Sequence, residues 1–484
     1  MSALRQPEAS ATAVQRLAGF VSDLSFQDLP EAVVENARWR LLDMIGVIIA
    51  GSRLEAASPI ARVAAQMGGV EEATTLPWGR RLPAALAGFV NAAVGHGPDY
   101  DDTHSGAAVH ISNLVVPAAL AMAEATGSDG REVLTSMVAG AEVALTVGMA
   151  APSHAFHRRG LHATSMVGPI GVAALAARML GLDAARTAHA IALACSQSAG
   201  LLQGLIDGSQ VKQLHPGWAV QAGITAARLA AEGVTGPAEA LEGTFGFYNA
   251  FLGRDEPIDL DRALDALGRH WLYPEAVYKP YPSGAWNHAS MDALAEIMAT
   301  HGLSADQVEG VECVVPAECI PIVAEPRGEK LRPTSPYHMK FSLPYSVAIL
   351  AVLGRAGVDD YSEEVRRDPR VAAFARRVRC TGDPALPPEG FPARVRVEVA
   401  EGRVYESDVM EQRGGPRHPA TPDELLGKFR ANVTPSLGAA AVDSIVQATR
   451  ELAAAPDITR LIGLCTREQH QRTQARRAPS GTEV

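Results

Sequence analysis

The strongest constraint on this sequence is a succession of helical segments over residues 13–268 that are apolar on nearly every face and rich in alanine and glycine. Helices of this kind have no polar face to turn to water, so they must pack closely inside a large bundle. No alternating strand pattern interrupts the stretch. It therefore predicts an all-α domain, with helices at 31–50, 83–93, 115–126, 131–150, 167–180, 184–199, 217–232 and 238–241.

The pattern changes after about residue 273. Residues 308–316 are rich in β-branched side chains, and 393–400 and 403–409 alternate around a Glu401-Gly402 turn, as two strands of a hairpin do. Helices are predicted beside them at 290–300, 343–353 and 369–376, and two more follow at 422–432 and 438–454. We expect a mainly α protein: a large all-α helical domain (1–273 and 411–466), a smaller α+β lid domain (274–410) and a flexible tail (467–484).

Charge and cysteine content exclude several classes of protein. The chain has 43 basic and 54 acidic residues, a net charge of −11, whereas nucleic-acid binding needs a concentrated basic face. Five cysteines, with no CxxC spacing, do not form a disulfide framework or a structural zinc site. We expect a cytoplasmic protein with no nucleic-acid or membrane partner, because neither a signal peptide nor an apolar run of about 20 residues is evident.

The densest polar cluster lies directly before the apolar run 114–123. It has three carboxylates and three histidines: Asp99, Asp101, Asp102, His96, His104 and His110. Proline and glycine place it on a connection between buried helices, where a rigid scaffold often holds catalytic groups. In the alternative interpretation the aspartates cap helices and the histidines bond to the backbone.

Three further segments carry candidate chemistry. His162 precedes a glycine-rich helix start, where free N–H groups attract anions, although a lone histidine there is more often structural. Lys212 and His215 lie in a predicted loop before a helix at Gly217, so Lys212 is either a surface residue or a carboxylate clamp. Residues 278–288 place Lys279 at the seam between the predicted domains, as a pocket wall or as a linker.

No nucleotide-binding, zinc-protease or serine-hydrolase motif is present in the sequence. We therefore expect no cofactor and no metal. Any chemistry must then run on acidic and basic side chains alone.

These four segments, in this order, resemble the MmgE/PrpD family. The resemblance covers nearly the whole chain, from the first long helix to the helix after the hairpin. It implies an all-α domain completed by C-terminal helices, a lid domain, a homodimer and cofactor-free catalysis between the domains. Six residues match its active-site positions, Asp99, Thr103, His110, His162, Lys212 and Lys279; His288 matches the end of the lysine motif.

The reactions of this family move a proton at a carbon next to a carboxylate, which requires an acid, a base and cations. The resemblance implies that Lys212 and Lys279 bind carboxylate and that His110 and His162 are the acid–base pair. Asp99 would orient a histidine, while Thr103 and His288 would contact substrate. We expect a lyase of the 2-methylcitrate dehydratase type acting on a small di- or tricarboxylate. An epimerase, isomerase or decarboxylase would use the same groups.

Two other classes remain as alternatives. A Mg²⁺-dependent all-α synthase would use Asp99, Asp101 and Asp102 as ligands, but Ser105 stands where its aspartate-rich box needs a further acid. A non-catalytic helical scaffold predicts exposed apolar stripes and a repeat period. Neither is evident in the sequence.

Overall fold

The computed structural model describes residues 11–467. The first ten residues lie outside the described part, and so does the predicted tail apart from its first residue, Arg467. The chain is 59% helical and 9% strand, which confirms the predicted fold class. The α-helices are α1 (Ala13–Asp23), α2 (Glu31–Gly51), α3 (Ala57–Met67), α4 (Ala84–His96), α5 (Ser112–Thr126), α6 (Gly130–Ala150), α7 (Ala155–Arg158), α8 (Ala163–Met179), α9 (Ala184–Cys195), α10 (Gly204–Asp207), α11 (Val211–Ala231), α12 (Phe247–Phe251), α13 (Leu260–Ala266), α14 (Ala285–His301), α15 (Ile320–Val323), α16 (Arg327–Lys330), α17 (Pro336–Met339), α18 (Leu343–Leu353), α19 (Glu363–Arg366), α20 (Pro369–Arg377), α21 (Pro422–Leu437), α22 (Ala439–Arg450) and α23 (Thr459–Leu464).

The first hydrophobic core is built from the apolar helices of the N-terminal half. At its centre α11 packs against α8, α4 and α9, and α8 also packs against α6. Small residues set the closest approach: a Cβ added to Gly171 of α8 would lie 2.4 Å from the carbonyl oxygen of Gly140 in α6. Only glycine allows these two backbones to meet. The last helices, α21–α23, add Phe429 and Ile445 to the same core.

Helix α6 is long and apolar enough to cross a membrane. However, 94% of its most apolar stretch is buried in the protein. A buried core helix passes the same length and composition test, because it too is surrounded by apolar side chains.

The second hydrophobic core lies between Tyr281 and Val399. It contains a four-stranded sheet in the order β4-β3-β5-β6, with strands β3 (Val308–Pro316), β4 (Val378–Asp383), β5 (Ala393–Val399) and β6 (Arg403–Val409). β3 pairs parallel with β4 and antiparallel with β5, and β5 pairs antiparallel with β6. Helix α14 packs on β5 and β6, while α18 packs on α14. The strand at 308–316 and the hairpin are thus confirmed.

The structure corrects several sequence expectations. The segment 238–241 is a turn, and a short hairpin, β1 (Ala73–Thr75) and β2 (Arg80–Leu82), interrupts the helical half. Three-residue strands are too short to show an alternating pattern, and β4 is half-exposed with few apolar residues. Helix α11 begins at Val211, so Lys212 lies in its first turn and not in a loop. Pro216 lies inside this helix, where it costs one backbone hydrogen bond, so a proline does not mark the helix start here.

Candidate active site

One cavity lies where loops of the first core face the second core. The empty space between its walls is about 520 Å³, part of it open to solvent. Six of the seven predicted site residues line it: Asp99, Thr103, His110, His162, Lys212 and Lys279. These residues are widely spaced in the sequence, so the fold itself assembles them. The C-terminal half of the chain contributes an apolar cover to the same cavity, made of Ile322, Val323, Phe341 and Phe391.

Backbone strain is concentrated at this cavity. Among residues 11–467, five non-glycine residues have a φ angle in the left-handed region, and four of them line the cavity: Asp99 (54°), Ala108 (55°), His154 (57°) and Phe391 (54°). This conformation costs free energy for a residue with a Cβ and persists only where the surroundings impose it. Such strain clusters at functional sites, which supports a functional assignment for the cavity.

The loop after α4 is fastened to the lysine segment by backbone hydrogen bonds. The amide of Thr103 donates to the carbonyl of Val277 at 3.0 Å, and the amide of Val277 donates to the carbonyl of Thr103 at 2.8 Å. This bridge places Lys279 beside Asp99, although the two are 180 residues apart in the chain. The polar cluster and the lysine motif therefore form one unit.

Asp99 is the centre of the charge cluster. One carboxylate oxygen accepts from Lys212 Nζ at 2.7 Å, and the other accepts from Lys279 Nζ at 3.1 Å. Burial alone would raise the pKa of Asp99, but the two ammonium groups hold it well below its usual range. Asp99 is thus ionised, and its two oxygens fix the positions of both lysine side chains. Burial lowers the pKa of Lys212, and the Asp99 carboxylate opposes that shift.

A hydrogen-bond chain continues from Lys212 to His96 and Asp101. Lys212 Nζ lies 2.9 Å from His96 Nε2, and His96 Nδ1 lies 2.8 Å from the carboxylate of Asp101. An ammonium group only donates, so His96 Nε2 must accept and Nδ1 must carry the hydrogen that Asp101 receives. The chain fixes both the tautomer of His96 and the direction of the Lys212 side chain.

His110 is positioned as a neutral base. Its Nδ1 lies 3.0 Å from the carbonyl oxygen of Asp102, so this nitrogen carries the hydrogen and donates it. Nε2 is then the unprotonated nitrogen, with no hydrogen-bond partner among the described residues. Burial, together with the nearby Lys212, holds the pKa of His110 well below 6.5. A neutral imidazole with a free lone pair in a cavity can accept a proton.

His162 is the N-cap of α8, and a second histidine sets its orientation. His162 Nδ1 lies 3.1 Å from His215 Nδ1, so one of the two rings must donate. Burial, reinforced by Lys212 and His215, keeps the pKa of His162 well below 6.5. The rings of His162 and His110 are 5.8 Å apart, and a small substrate in the cavity reaches both.

Other members of the polar cluster have structural roles. The carboxylate of Asp102 accepts from Arg40 at 2.5 Å and from the amide of Ser112, at the start of α5. His104 bonds to the backbone amide of Ala107 and does not line the cavity. For these two residues the alternative interpretation therefore holds: Asp102 binds the start of a helix, and His104 bonds to the backbone.

Three buried basic residues of the C-terminal half, of which His288 is a predicted site residue, lie outside the cavity lining. His288 Nε2 bonds to the carbonyl oxygen of Ser283 at 3.1 Å, behind the lysine segment. Lys340 donates to the carbonyls of Pro98 (2.9 Å) and Pro282 (3.2 Å), and Lys330 donates to that of Leu205 at 3.0 Å. These lysines join the second core to loops of the first.

The cluster contains two sets of potential metal ligands, His96 with His110 and His162, and His96 with Asp99 and Asp101. Both nitrogens of His96 are already engaged, one of them by the Lys212 ammonium, and Asp99 is held by two lysines. A metal ion would have to lie beside these cations, which repel it. Nor do the three aspartates converge, because Asp102 faces Arg40. The residues do not fit the magnesium site of the alternative interpretation.

We expect acid to destabilise the fold because the cavity histidines are buried in the neutral form. Burial lowers the pKa of His154 to about 4 and that of His157 to about 3. In the unfolded chain these groups titrate near 6.5, so the unfolded state binds more protons below that pH. Stability should therefore fall as the pH drops from about 6.5 toward 4. Urea unfolding midpoints measured across this range test the prediction, and a midpoint that is unchanged or higher at about pH 5 contradicts it.

The site also depends on contacts and groups that the sequence did not single out. His96 and Asp101 belong to the recognised polar cluster, but their pairing with Lys212 depends on a helix distant in the sequence. His154, His157 and Trp286 also line the cavity. His154 and His157 lie a few residues before His162, so the local density of histidines is the sequence signal that points to them.

Comparison with known proteins gives one consistent result. The model of the MmgE/PrpD N-terminal domain matches residues 15–258, and that of the C-terminal domain matches residues 281–453. The chain is 26% identical to cis-aconitate decarboxylase of Mus musculus, covering 93% of both chains. It is 24% identical to the cis-aconitate decarboxylase-like protein oryM of Aspergillus oryzae, covering 96% of this chain and 98% of that protein.

A similar level of identity links the chain to dehydratases. It is 26% identical to 2-methylcitrate dehydratase of Escherichia coli, covering 63% of each chain. These relatives are enzymes of the lyase type, and the two family models together span most of the described residues. The chain therefore belongs to the MmgE/PrpD family.

Proposed function

We propose that this protein is a lyase of the 2-methylcitrate dehydratase type, which removes a proton from a carbon next to a carboxylate of a small di- or tricarboxylate. The observation that carries the proposal is the convergence of two lysines on Asp99 beside two neutral histidines, in one strained cavity. The elimination of water from a β-hydroxy acid needs these parts: a cation for the carboxylate, a base for the proton and an acid for the leaving hydroxyl.

The lysines have the donors that a substrate carboxylate requires. Lys212 uses two of its three N–H groups on Asp99 and His96, and Lys279 uses two on the side chain and carbonyl of Asp99. Each ammonium therefore has one N–H left. Two N–H donors can bind one carboxylate, and their charge stabilises the enediolate that forms when the α-proton leaves.

The histidines divide the proton transfers. His110 accepts the proton at Nε2, since its Nδ1 already donates to the backbone. His162, with its Nδ1 accepting from His215 Nδ1, donates its Nε2 hydrogen to the leaving hydroxyl. The proton that His110 has taken returns to His162, so that water leaves and both rings end neutral. Thr103, whose hydroxyl lies 3.2 Å from His110 Nδ1, is placed to hydrogen-bond the substrate or the base.

Decarboxylation is the second candidate, because the chain covers 93% of the mouse cis-aconitate decarboxylase. Loss of CO₂ leaves the same kind of charge to be stabilised by the lysines, and one histidine protonates the product carbon. The proton-transfer groups are therefore common to both candidates.

The test is incubation with a panel of di- and tricarboxylic acids in D₂O, followed by NMR and alkene absorbance. We expect exchange of a proton next to a carboxylate, with the formation or hydration of a double bond for the true substrate. EDTA should leave the rate unchanged, whereas loss of the activity with EDTA would favour the magnesium alternative. A complete absence of exchange and turnover across the panel contradicts the proposal.

The expectations of a homodimer and of a cytoplasmic location rest on the family resemblance and the sequence. They stay predictions. Light scattering of the purified chain would test the first.

A further inference from the structure

One buried lysine beside the site has no ion-pair partner. Lys340 is 2% exposed, and no carboxylate of residues 11–467 forms an ion pair with it. Its Nζ lies instead 4.7 Å from the centre of the Tyr361 ring. Burial of a lysine in this way is unfavourable, and it lowers the pKa of Lys340 to about 7. The hydrogen bonds that this lysine makes must offset that cost.

The hydrogen bonds of Lys340 go to the two segments that carry the site. Its Nζ donates to the carbonyl of Pro98 at 2.9 Å and to that of Pro282 at 3.2 Å. Pro98 directly precedes Asp99, and Pro282 belongs to the same segment as Lys279. The amine has the two hydrogens that these carbonyls need whether or not it carries a charge. Lys340 therefore joins the loop after α4 to the lysine segment.

The bond to Pro98 acts on the strained backbone of Asp99. The φ angle of Asp99, which is 54°, describes the rotation of this residue against the peptide plane that it shares with Pro98. The carbonyl end of this plane accepts from Lys340. Its amide end, the N–H of Asp99, donates to the carbonyl of His96 at 3.0 Å. A plane held at both ends cannot turn to relieve the strain, and a strained residue persists only under such constraint.

The conformation of Asp99 decides where its oxygen atoms lie. In this conformation one carboxylate oxygen accepts from Lys212 at 2.7 Å, and the other accepts from Lys279 at 3.1 Å. The carbonyl oxygen of Asp99 also accepts from Lys279, at 3.0 Å. A rotation of the Asp99 backbone would move all three oxygens at once. The positions of both lysines therefore depend on the peptide plane that Lys340 holds.

We propose that Lys340 is a positioning residue, which holds the strained turn at Asp99 and thereby places Lys212 and Lys279. Lys340 does not line the cavity, so it acts through the backbone of the site and not on the substrate. The placement of the two lysines is a statement about structure alone. Its importance for turnover rests on the proposed function, in which these lysines bind the substrate carboxylate.

The test is a comparison of crystal structures of the parent protein and Lys340→Met. Methionine is flexible and close to lysine in length but has no N–H group, so both hydrogen bonds are lost with little change in packing. We expect the peptide before Asp99 to turn, and the Asp99 carboxylate to lose contact with at least one lysine. If the φ of Asp99 stays within about 20° of the parent value, the usual scatter of a conformation, and both contacts remain, the inference is overturned.

A second variant serves if Lys340→Met does not fold. Lys340→Gln keeps an N–H donor, but its side chain is one atom shorter and cannot reach both carbonyls. The same change at Asp99 is expected, and an unchanged φ with both lysine contacts intact again overturns the inference.

Lys330→Met is the matched control. Lys330 is also buried, and it donates to the carbonyl of Leu205, which lines the cavity, at 3.0 Å. It thus joins the same halves of the chain without a bond to the loop after α4 or to the lysine segment. Lys330→Met should leave the φ of Asp99 and both of its lysine contacts unchanged.

Steady-state kinetics on the substrate found in the panel supplies the second measurement. Lys340→Met should lower kcat/KM at least about tenfold more than Lys330→Met does, because a small displacement of the groups that hold a substrate is costly to the rate. Equal losses in the two variants overturn the inference, since both lysines would then only fasten the two halves of the chain together.

The two proposals fail in different ways. If Asp99 moves in Lys340→Met but the parent protein shows neither exchange nor turnover across the panel, the positioning by Lys340 stands and the proposed function falls. If the parent protein is active and Asp99 keeps its φ angle and both lysine contacts in Lys340→Met, the proposed function stands and only the positioning falls.

Discussion

Replacing His110 or His162 by alanine should lower turnover by about 10²- to 10⁴-fold, the usual contribution of general acid–base catalysis. His110 presents an unprotonated Nε2 to the cavity, and no other lining histidine has its Nδ1 hydrogen fixed by a backbone carbonyl among the described residues. His162 lies across the cavity and is held by His215. Steady-state kinetics on the substrate found in the panel measures the loss, and solvent exchange of the α-proton reports on the base alone.

The control for these variants is His418→Ala. His418 is exposed, and its side chain makes no hydrogen bond in the described structure, so turnover should stay within twofold of the parent protein. Glutamine variants of His110 and His162 keep a hydrogen-bonding side chain but cannot act as acid or base. A similar loss of turnover in the glutamine and alanine variants would therefore not be due to misfolding. If both alanine variants retain full turnover, the assignment of the acid–base pair is wrong.

Replacing Asp102 by alanine should destabilise the fold by about 3–5 kcal/mol, the typical cost of leaving one member of a buried ion pair alone. Arg40 has no exposed surface, and the carboxylate of Asp102 is its only carboxylate partner in the described structure. The remaining guanidinium bonds go to the carbonyls of Pro274 and Ala276 and to Asn36. The variant also loses the hydrogen bond that the first amide of α5 donates to the carboxylate of Asp102. The free energy of unfolding in urea measures the effect.

A double variant separates the ion pair from general damage. Arg40→Met in the Asp102→Ala background removes the unpaired charge and should recover part of the lost stability. As a matched control, Asp265→Ala breaks an exposed pair with Arg16 and should change stability by less than about 1 kcal/mol. Equal effects of Asp102→Ala and Asp265→Ala would show that burial of the ion pair does not matter here.

The candidate site residues could be picked out in the sequence because their segments contrast with their surroundings. Charged and histidine-rich loops stand out between helices that are apolar all round, and the ordered set of such loops carries the family resemblance. Six predicted residues accordingly line one cavity. Lys212 is informative in another way: the sequence leaves it as either a surface residue or a carboxylate clamp, and the structure buries it beside Asp99 in the first turn of α11.

What the sequence does not show is which atoms meet. The pairing of His96 with Lys212 joins α4 to α11, and that of Asp102 with Arg40 joins the polar loop to α2. No local spacing encodes such contacts, because they depend on how the helices cross. His288 shows that closeness in sequence does not guarantee a shared site. It belongs to the lysine motif, yet on α14 it bonds to the carbonyl of Ser283 and does not line the cavity.

The apolar cover has a consequence for how such a protein can change over generations. The groups that hold charge and move protons all come from residues before 280, while Ile322, Val323, Phe341 and Phe391 come from the later part of the chain. Substitutions in the cover alter which molecule fits without touching a hydrogen bond of the acid–base pair. Part of the choice of substrate is thus encoded on a separate stretch of sequence, and a lineage can vary that part while its proton-transfer apparatus stays intact.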